Sequence, residues 1–290
     1  MDNNEPLKLL FIINTSSGNH TVQWASEIDN FFAFTSCSVE KFLLEPGSTI
    51  ATLKDKIIAS APDKVIAVGG DGTVKLVAEC LLYTDMVMGI VPAGSANGFA
   101  KELGIPTDVQ GAFRYLLKKE TEKIHLLKIN NQLCVHLSDI GFNASVIKIF
   151  ETNKQRGMAG YIKAAWKVLW KHSVMQVTIK IDDTHIRRDA AMIVIANATR
   201  YGSGALINPA GRLDDDLFEV VIIKKVSFSE IFKMMVTHNP YDKTKTELYQ
   251  AQSLQIHSRK KAHFQIDGEY LGKINKIQAT LLENALNIIK

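Results

Sequence analysis

Cysteine is scarce in this chain of 290 residues: Cys37, Cys80 and Cys134 are odd in number, far apart and never in a CxxC pair. That argues against a zinc ribbon or a disulfide scaffold and fits a reducing compartment. Long apolar runs are also missing. No stretch approaches eighteen apolar residues, so no segment is expected to span a bilayer. The N-terminus carries Asp2 and Glu5, and the apolar run Leu9 to Ile13 is too short for the core of a signal peptide. There is no long Lys/Arg tract, and the formal net charge is only +4. This suits an anionic small molecule or a membrane surface and gives no support for nucleic acid. The histidines lack a metal-binding spacing such as HExxH. No Walker sequence occurs, and the first strand–helix turn has no Gly-x-Gly-x-x-Gly. The expectation is a cytoplasmic protein, at most peripheral on the inner face of a membrane.

What is present is a foldable composition, 46% apolar and 22% charged. Up to about Lys123 strand-like and helix-like segments alternate. "LKLLFII", "CSVEKFLL", "KVIAV" and "MVMGIVP" read as strands. "TVQWASEIDNFFAF", "TIATLKDKIIAS", the segment after Thr73, "SANGFAKELG" and "DVQGAFRYLLKKE" read as helices. Such alternation predicts an α/β domain, a parallel sheet covered by helices. Beyond that point successive strands joined by hairpin turns, such as Asn130-Asn131 and Asp182-Asp183, predict a mainly antiparallel β domain. Two helices, "AGYIKAAWKVLWKH" and "SFSEIFKMMVTH", are expected to interrupt it. The division is placed at 1–125 and 126–290, with the C-terminal end free to return to the first domain.

Three polar, glycine-bearing turns fall at the carboxyl ends of the predicted parallel strands, where ligands of such sheets bind. They are Asn14-Thr15-Ser16-Ser17-Gly18, Gly69-Gly70-Asp71-Gly72-Thr73 running into Val74 and Lys75, and the 92–98 segment with Gly94, Ser95 and Asn97. Glycine lets the backbone turn sharply and lets a ligand approach. Amides at a helix N-terminus can hold phosphate. Asp71 among them would repel a phosphate, unless Mg²⁺ stands between the two. A tight turn with Asp71 capping its helix would use the same residues. "IDGEY" further on contains Asp267-Gly268, which is also an ordinary hairpin dipeptide.

"NTSSG", "GGDGT", "PAGSANGFAKELGIP", "YGSGALINPAGRLDDDLFEVVII" and "IDGEYLG" occur in an order that resembles the diacylglycerol kinase catalytic family, which includes bacterial lipid kinases and sphingosine and ceramide kinases. The resemblance spans almost the whole chain. It implies a phosphofructokinase- and NAD kinase-like α/β domain joined to a β-sandwich, with ATP and Mg²⁺ as cofactors and a lipid substrate met at a membrane surface. Residues 14–18, 69–75 and 94–97 would hold the nucleotide, Ser95 matching the family's nucleotide-contacting Thr/Ser. Asp71 would organise the catalytic Mg²⁺. Asp267 would take the proton of the acceptor hydroxyl, with Glu269 beside it. A structural Mg²⁺ would be held by the carbonyls of Arg212 and Leu217 and the side chain of Asp215.

The sequence departs from the family pattern at Thr15, at Lys75-Leu76 and at Gly98, where the family often has Pro, Asn-Glu and the Asp of Asn-Asp. The expected activity is transfer of a γ-phosphoryl group to a hydroxyl of a diacylglycerol-like or sphingoid lipid. An NAD kinase-like enzyme and a non-catalytic lipid- or nucleotide-binding member stay open, as does a homodimer. Lys163, Lys167 and Lys171, interleaved with Trp166 and Trp170, could face anionic lipid; tryptophans packed on the β domain are the other reading.

Overall fold

The computed structural model describes residues 6–17, 22–45, 47–152, 157–169, 174–199, 206–209, 211–227, 242 and 244–290. The chain divides into two compact units: Met1–Ile124 with Asn284–Lys290, and His125–Glu283.

Unit 1 runs β1 (Leu7–Asn14), α1 (Trp24–Phe32), β2 (Cys37–Leu44), α2 (Ile50–Ser60), β3 (Lys64–Gly69), α3 (Asp71–Leu81), β4 (Val87–Pro92), the short α4 (Gly98–Glu102) and α5 (Val109–Leu116). Its strands lie in the order β4-β3-β1-β2 and are all parallel. The last residues of the chain add a further parallel strand beside β4, with Asn287 opposite Val87 and Ile288 opposite Met88. Leu9, Phe11, Ile13, Ile66 and Val68 form one core with Ile28 and Phe32 of α1 and Phe113 and Leu116 of α5. Phe11, Phe32 and Phe113 meet there with ring centroids 5.4–6.5 Å apart. Helix α3 packs on β3 and β4, and α2 on α3. Thr49 caps α2 by accepting from the N–H of Thr52, and Asp108 caps α5 by accepting from that of Gly111. Buried Lys64 donates to the carbonyls of Leu116 and Lys118, at 2.9 and 2.7 Å, and so closes the C-terminal end of α5.

Unit 2 contains β5 (Thr121–Ile129, begun in unit 1), β6 (Gln132–Cys134), β7 (Leu137–Gly141), α6 (Phe142–Thr152), α7 (Gly157–Leu169), β8 (Met175–Ile181), β9 (Thr184–Ala190), β10 (Met192–Ala196), β11 (Phe218–Ile223), β12 (Thr246–Ala251), β13 (Ser253–Ile266) and β14 (Glu269–Ile289), whose end belongs to unit 1. The order β12-β11-β10-β7-β13 is antiparallel throughout. β13 also pairs with β14 and β8, and β8 with β9. Asn130 and Asn131 both take positive φ in a two-residue hairpin, and Asp182 does so at the other predicted turn. Period-two alternation splits the apolar residues of β10 and β11 between two cores. Ile193, Ile195, Val220 and Ile222 pack with β8 and β13. Met192, Val194, Val221 and Ile223 pack with Phe142, Val146, Ala164 and Val168 of α6 and α7.

α6 is a helix that sequence patterning had not separated from the preceding strand. Its signal is Phe142, Val146, Ile149 and Phe150, at helical spacing. The helix expected over "SFSEIFKMMVTH" lies almost wholly outside the described residues, as do Trp170 and Lys171. Trp166 and Lys167 are exposed while Ala164, Ala165 and Val168 are buried, so the described tryptophan of α7 points outward. Among the described residues no helix is long and apolar enough to cross a membrane.

Glu247 on β12 ties several strands together. Its carboxylate pairs with Lys224 at 2.8 Å, accepts from Tyr249 at 2.7 Å, and accepts from Arg188 of β9 at 2.8 and 3.1 Å. Donation from Lys224, then Tyr249 and Arg188, lowers its pKa to about 2. A carboxyl depressed in the folded state stabilises it above the ordinary carboxyl pKa, and that contribution is lost as pH falls towards 2. Glu247→Gln is therefore expected to cost about 1 kcal/mol at pH 7, after solvent screening. Urea titrations should show this difference shrinking steadily between pH 5 and about 2.

Candidate active site

Unit 1 brings the three predicted loops together at the carboxyl ends of β1, β3 and β4. The Asn14 side chain spans two of them: its Nδ2 donates to Thr73 Oγ1 at 3.0 Å, and its Oδ1 accepts from the N–H of Ser16 at 3.0 Å. Ser17 N–H returns to the Asn14 carbonyl at 3.2 Å. Gly69 has no room for a side chain, since a Cβ there would stand 2.2 Å from Thr73 Oγ1. The loops after β3 and β4 touch through their backbones. A Cβ on Gly94 would lie 2.4 Å from the Gly70 Cα, and one on Gly70 would lie 3.2 Å from the Gly94 Cα and 3.6 Å from Ser17 Oγ.

Asn97 holds the third loop closed. Its Oδ1 accepts from Gly94 N–H and its Nδ2 donates to the Gly94 carbonyl, both at 2.8 Å. Asn97 itself adopts left-handed φ, +50°, which asparagine tolerates. Asp71 is the first residue of α3, and its Oδ1 accepts from Phe99 N–H at 3.2 Å, so this carboxylate braces the loop after β4. Gly70 precedes α3 without a side-chain cap. The first amides of a helix have no acceptor within it, so this end is an electropositive surface suited to phosphate. Thr15, Ser16, Gly72 and Ser95 are exposed, Ser17 and Lys75 half-buried, and Thr73 and Val74 buried. Gly18 lies outside the described residues.

In unit 2, Asp267 and Gly268 form the β13–β14 turn with φ of +51° and +85°, the angles of a type I′ hairpin. The hairpin and the candidate base are thus the same residues. Asp267 N–H donates to the Leu137 carbonyl at 2.9 Å. Its carboxylate accepts from the N–H groups of His136, at 2.9 Å, and Val135, at 3.2 Å, with the Cys134 thiol 3.4 Å away. The Glu269 side chain is exposed and has no hydrogen-bond partner among the described residues.

Sequence reading passed over the support beneath this turn. Gln265 accepts from Gly268 N–H at 2.7 Å and donates to Asp139 at 2.6 Å. Asp139 also accepts from Asn143 Nδ2 at 2.6 Å and Ala144 N–H at 2.9 Å. Asp139 and Gln265 are fully buried. A charged residue inside the short strand β7 was the available signal, since such groups are buried only when partnered.

The acidic segment before β11 lies in the same unit. Arg212 forms a two-pronged pair with Asp214, both contacts 3.0 Å, and the Leu213 carbonyl accepts from His125 N–H at 2.8 Å. Asp215 Oδ1 is buried without a hydrogen-bond partner. Fully buried Glu219 accepts from Asn208 at 2.7 Å and Gln250 at 3.2 Å; burial raises its pKa, helped by the Asp215 charge. No cluster of three or more His, Cys, Asp or Glu suited to a metal occurs among the described residues. A cation here would therefore draw mainly on carbonyls.

A parallel α/β unit with glycine loops at its strand ends, continued into an antiparallel sandwich-like unit, is the NAD kinase-like class of fold. A solved NAD kinase from Archaeoglobus fulgidus in complex with ATP superposes with a TM-score of 0.53 at 14% identity, over 97% of this chain and 93% of that one. A crystal structure of a diacylglycerol kinase from Bacillus anthracis strain Sterne superposes with a TM-score of 0.74 at 19% identity, covering 98% and 96%. In sequence, a diacylglycerol kinase of Staphylococcus epidermidis is 26% identical over 229 residues, 76% of this chain and 72% of the relative. Residues 8–129 match the diacylglycerol kinase catalytic domain, and residues 138–290, more than half of the chain, match the YegS C-terminal NAD kinase beta sandwich-like domain. The chain belongs to the diacylglycerol kinase catalytic family in its two-domain, YegS-type form.

Proposed function

We propose that this protein is an ATP-dependent lipid kinase, transferring the γ-phosphoryl group to a hydroxyl of a diacylglycerol-like or sphingoid lipid at a membrane surface. The observation that carries the reading is the locking of the three glycine loops beside the uncapped start of α3: Gly70 against Gly94, Asn14 to Thr73, and Asp71 to Phe99. Phosphoryl transfer needs positioning and charge neutralisation more than covalent chemistry, and amides held in fixed places supply both. In this reading the amides of 14–18, 69–73 and 94–97 hold the triphosphate, and Lys75 lies on the first turns of the same helix. Asp267, kept in one orientation by two amides, receives the hydroxyl proton. Glu269 stands next to it on the exposed side.

Magnesium bound with the nucleotide would neutralise phosphate charge, and in this reading Asp71 is the carboxylate that would hold it. The second Mg²⁺ site, made of the Arg212 and Leu217 carbonyls with Asp215, is supported by the buried Asp215 oxygen that lacks a partner. Removing divalent cation with EDTA is expected to lower the melting temperature by several degrees, as loss of a ligand bound only by the folded state must. Calorimetry of Asp215→Asn should show that sensitivity abolished.

The function is tested with purified protein, labelled ATP and mixed micelles containing diacylglycerol, sphingosine or ceramide. Transfer to one of these lipids supports the proposal. Absence of transfer to any lipid overturns it, and labelling of NAD instead would identify a kinase for a soluble substrate.

A further inference from the structure

Unit 2 contains a basin of about 690 Å³ that the proposed transfer reaction does not use. Six cations line it: Lys148 of α6, Lys167 of α7, Arg259, Lys260 and Lys261 of β13, and Lys273 of β14. No carboxylate is found among its described lining residues, and none of the six forms an ion pair with a described residue. The chain contributes no long basic tract, so the patch exists only because four elements converge. A distortion of β13 builds much of it. The register with β14 jumps from His257 opposite Lys276 to Ala262 opposite Ile274, five steps along one strand against two along the other. The intervening Arg259-Lys260-Lys261 is thereby displaced from the ladder and exposed. Bulges of this kind re-aim side chains beside binding sites.

A second, independent feature points the same way. Ser258 lines the basin, is only 1% exposed, and its Oγ has no hydrogen-bond partner. It continues the inward series Leu254 and Ile256. A buried hydroxyl without a partner is unfavourable unless something else bonds it. Six like charges gathered in one concavity are unfavourable on the same terms, until a compact multiple anion neutralises them. Ile149, Val168 and Met175 supply an apolar side to the same basin. Its volume is that of a site for a small organic molecule.

We propose that this basin binds a phosphate ester, the phosphate meeting the cations and the Ser258 hydroxyl while the organic remainder lies on the apolar side. The Arg259 guanidinium is oriented for this by donating to Gln176 Oε1 at 3.1 Å. The same chemistry could be presented by a soluble phosphate compound or by a lipid headgroup. This inference does not depend on the kinase reading, because nothing in the basin belongs to the nucleotide loops or to the Asp267 turn.

The test uses the full chain in two arms: calorimetric titration with inorganic pyrophosphate, and co-sedimentation with phosphatidylcholine vesicles made with and without phosphatidylglycerol. A soluble ligand is indicated by pyrophosphate binding that weakens about ten-fold in Lys260→Ala/Lys261→Ala but not in the unit 1 control Lys54→Ala/Lys119→Ala. Binding confined to phosphatidylglycerol vesicles, with the same dependence on Lys260 and Lys261, indicates a headgroup. Ser258→Ala separates recognition from folding: thermal stability stays level or rises, and affinity falls in whichever arm binds. Absence of binding in both arms, or equal losses in the two double variants, overturns the proposal.

Discussion

Replacing Asp267 by asparagine is expected to lower the turnover number for phosphoryl transfer by about 10²–10⁴-fold, the usual contribution of a positioned base. The KM for ATP should stay near the wild-type value, because the residues assigned to the nucleotide belong to unit 1. The carboxylate accepts from two amides, His136 N–H at 2.9 Å and Val135 N–H at 3.2 Å. An asparagine offers one accepting oxygen in their place and turns its NH₂ towards a donor. A stability loss of about 1–3 kcal/mol follows from the unmatched group. Steady-state kinetics with the lipid varied, together with circular dichroism melts, separate the two effects. Activity retained in a folded Asp267→Asn protein would remove Asp267 from the reaction. Glu269→Gln provides the contrast: the side chain is exposed and unpartnered among the described residues, so its effect on stability should be small.

Gly94→Ala is expected to damage binding and stability together. The added carbon would stand 2.4 Å from the Gly70 Cα and 2.8 Å from Asn97 Oδ1, the atom that accepts the Gly94 N–H. The Gly70 contact is backbone and cannot rotate away, so the two loops must separate and the first turn of α3 must shift with them. Overpacking of this kind costs about 1–3 kcal/mol. ATP affinity should drop about ten-fold or more as the amides leave their places. Gly72→Ala isolates the second effect. A Cβ at that position meets nothing within 4 Å, so stability should hold. Any fall in affinity would then report the ligand's need for that space. Isothermal titration with ATP beside urea denaturation distinguishes the pair. Tight ATP binding by a stable Gly94→Ala protein would show that contact between these loops is not what forms the nucleotide site.

The candidate nucleotide loops were legible in the sequence because three of their glycines are needed where they stand. Gly69 clears the Thr73 side chain, and Gly70 and Gly94 let two backbones meet. Asp267-Gly268 was legible twice over, as a hairpin dipeptide and as the match to a family's proposed base. The structure gives it the hairpin geometry and a carboxylate held by amides of the segment before β7. The Asp139–Gln265–Gly268 chain of hydrogen bonds was not legible, because its members are 126 and three residues apart in sequence. No local pattern marks which buried polar groups will find each other.

Local chemistry therefore determined the strands, most helices and the turn positions, since these rest on side-chain periodicity, caps and glycine within a few residues, while the family was legible from the order of its motifs along the chain. Tertiary structure decided what depends on distant partners. It ran β14 from the Asp267 turn to the parallel edge of β4, gathered six cations from four elements into one basin, and left single oxygens of Asp215 and Ser258 buried without a partner. The physical reason is that pairing and burial are settled by which surfaces meet in the folded chain, and neighbours along the sequence carry little information about that.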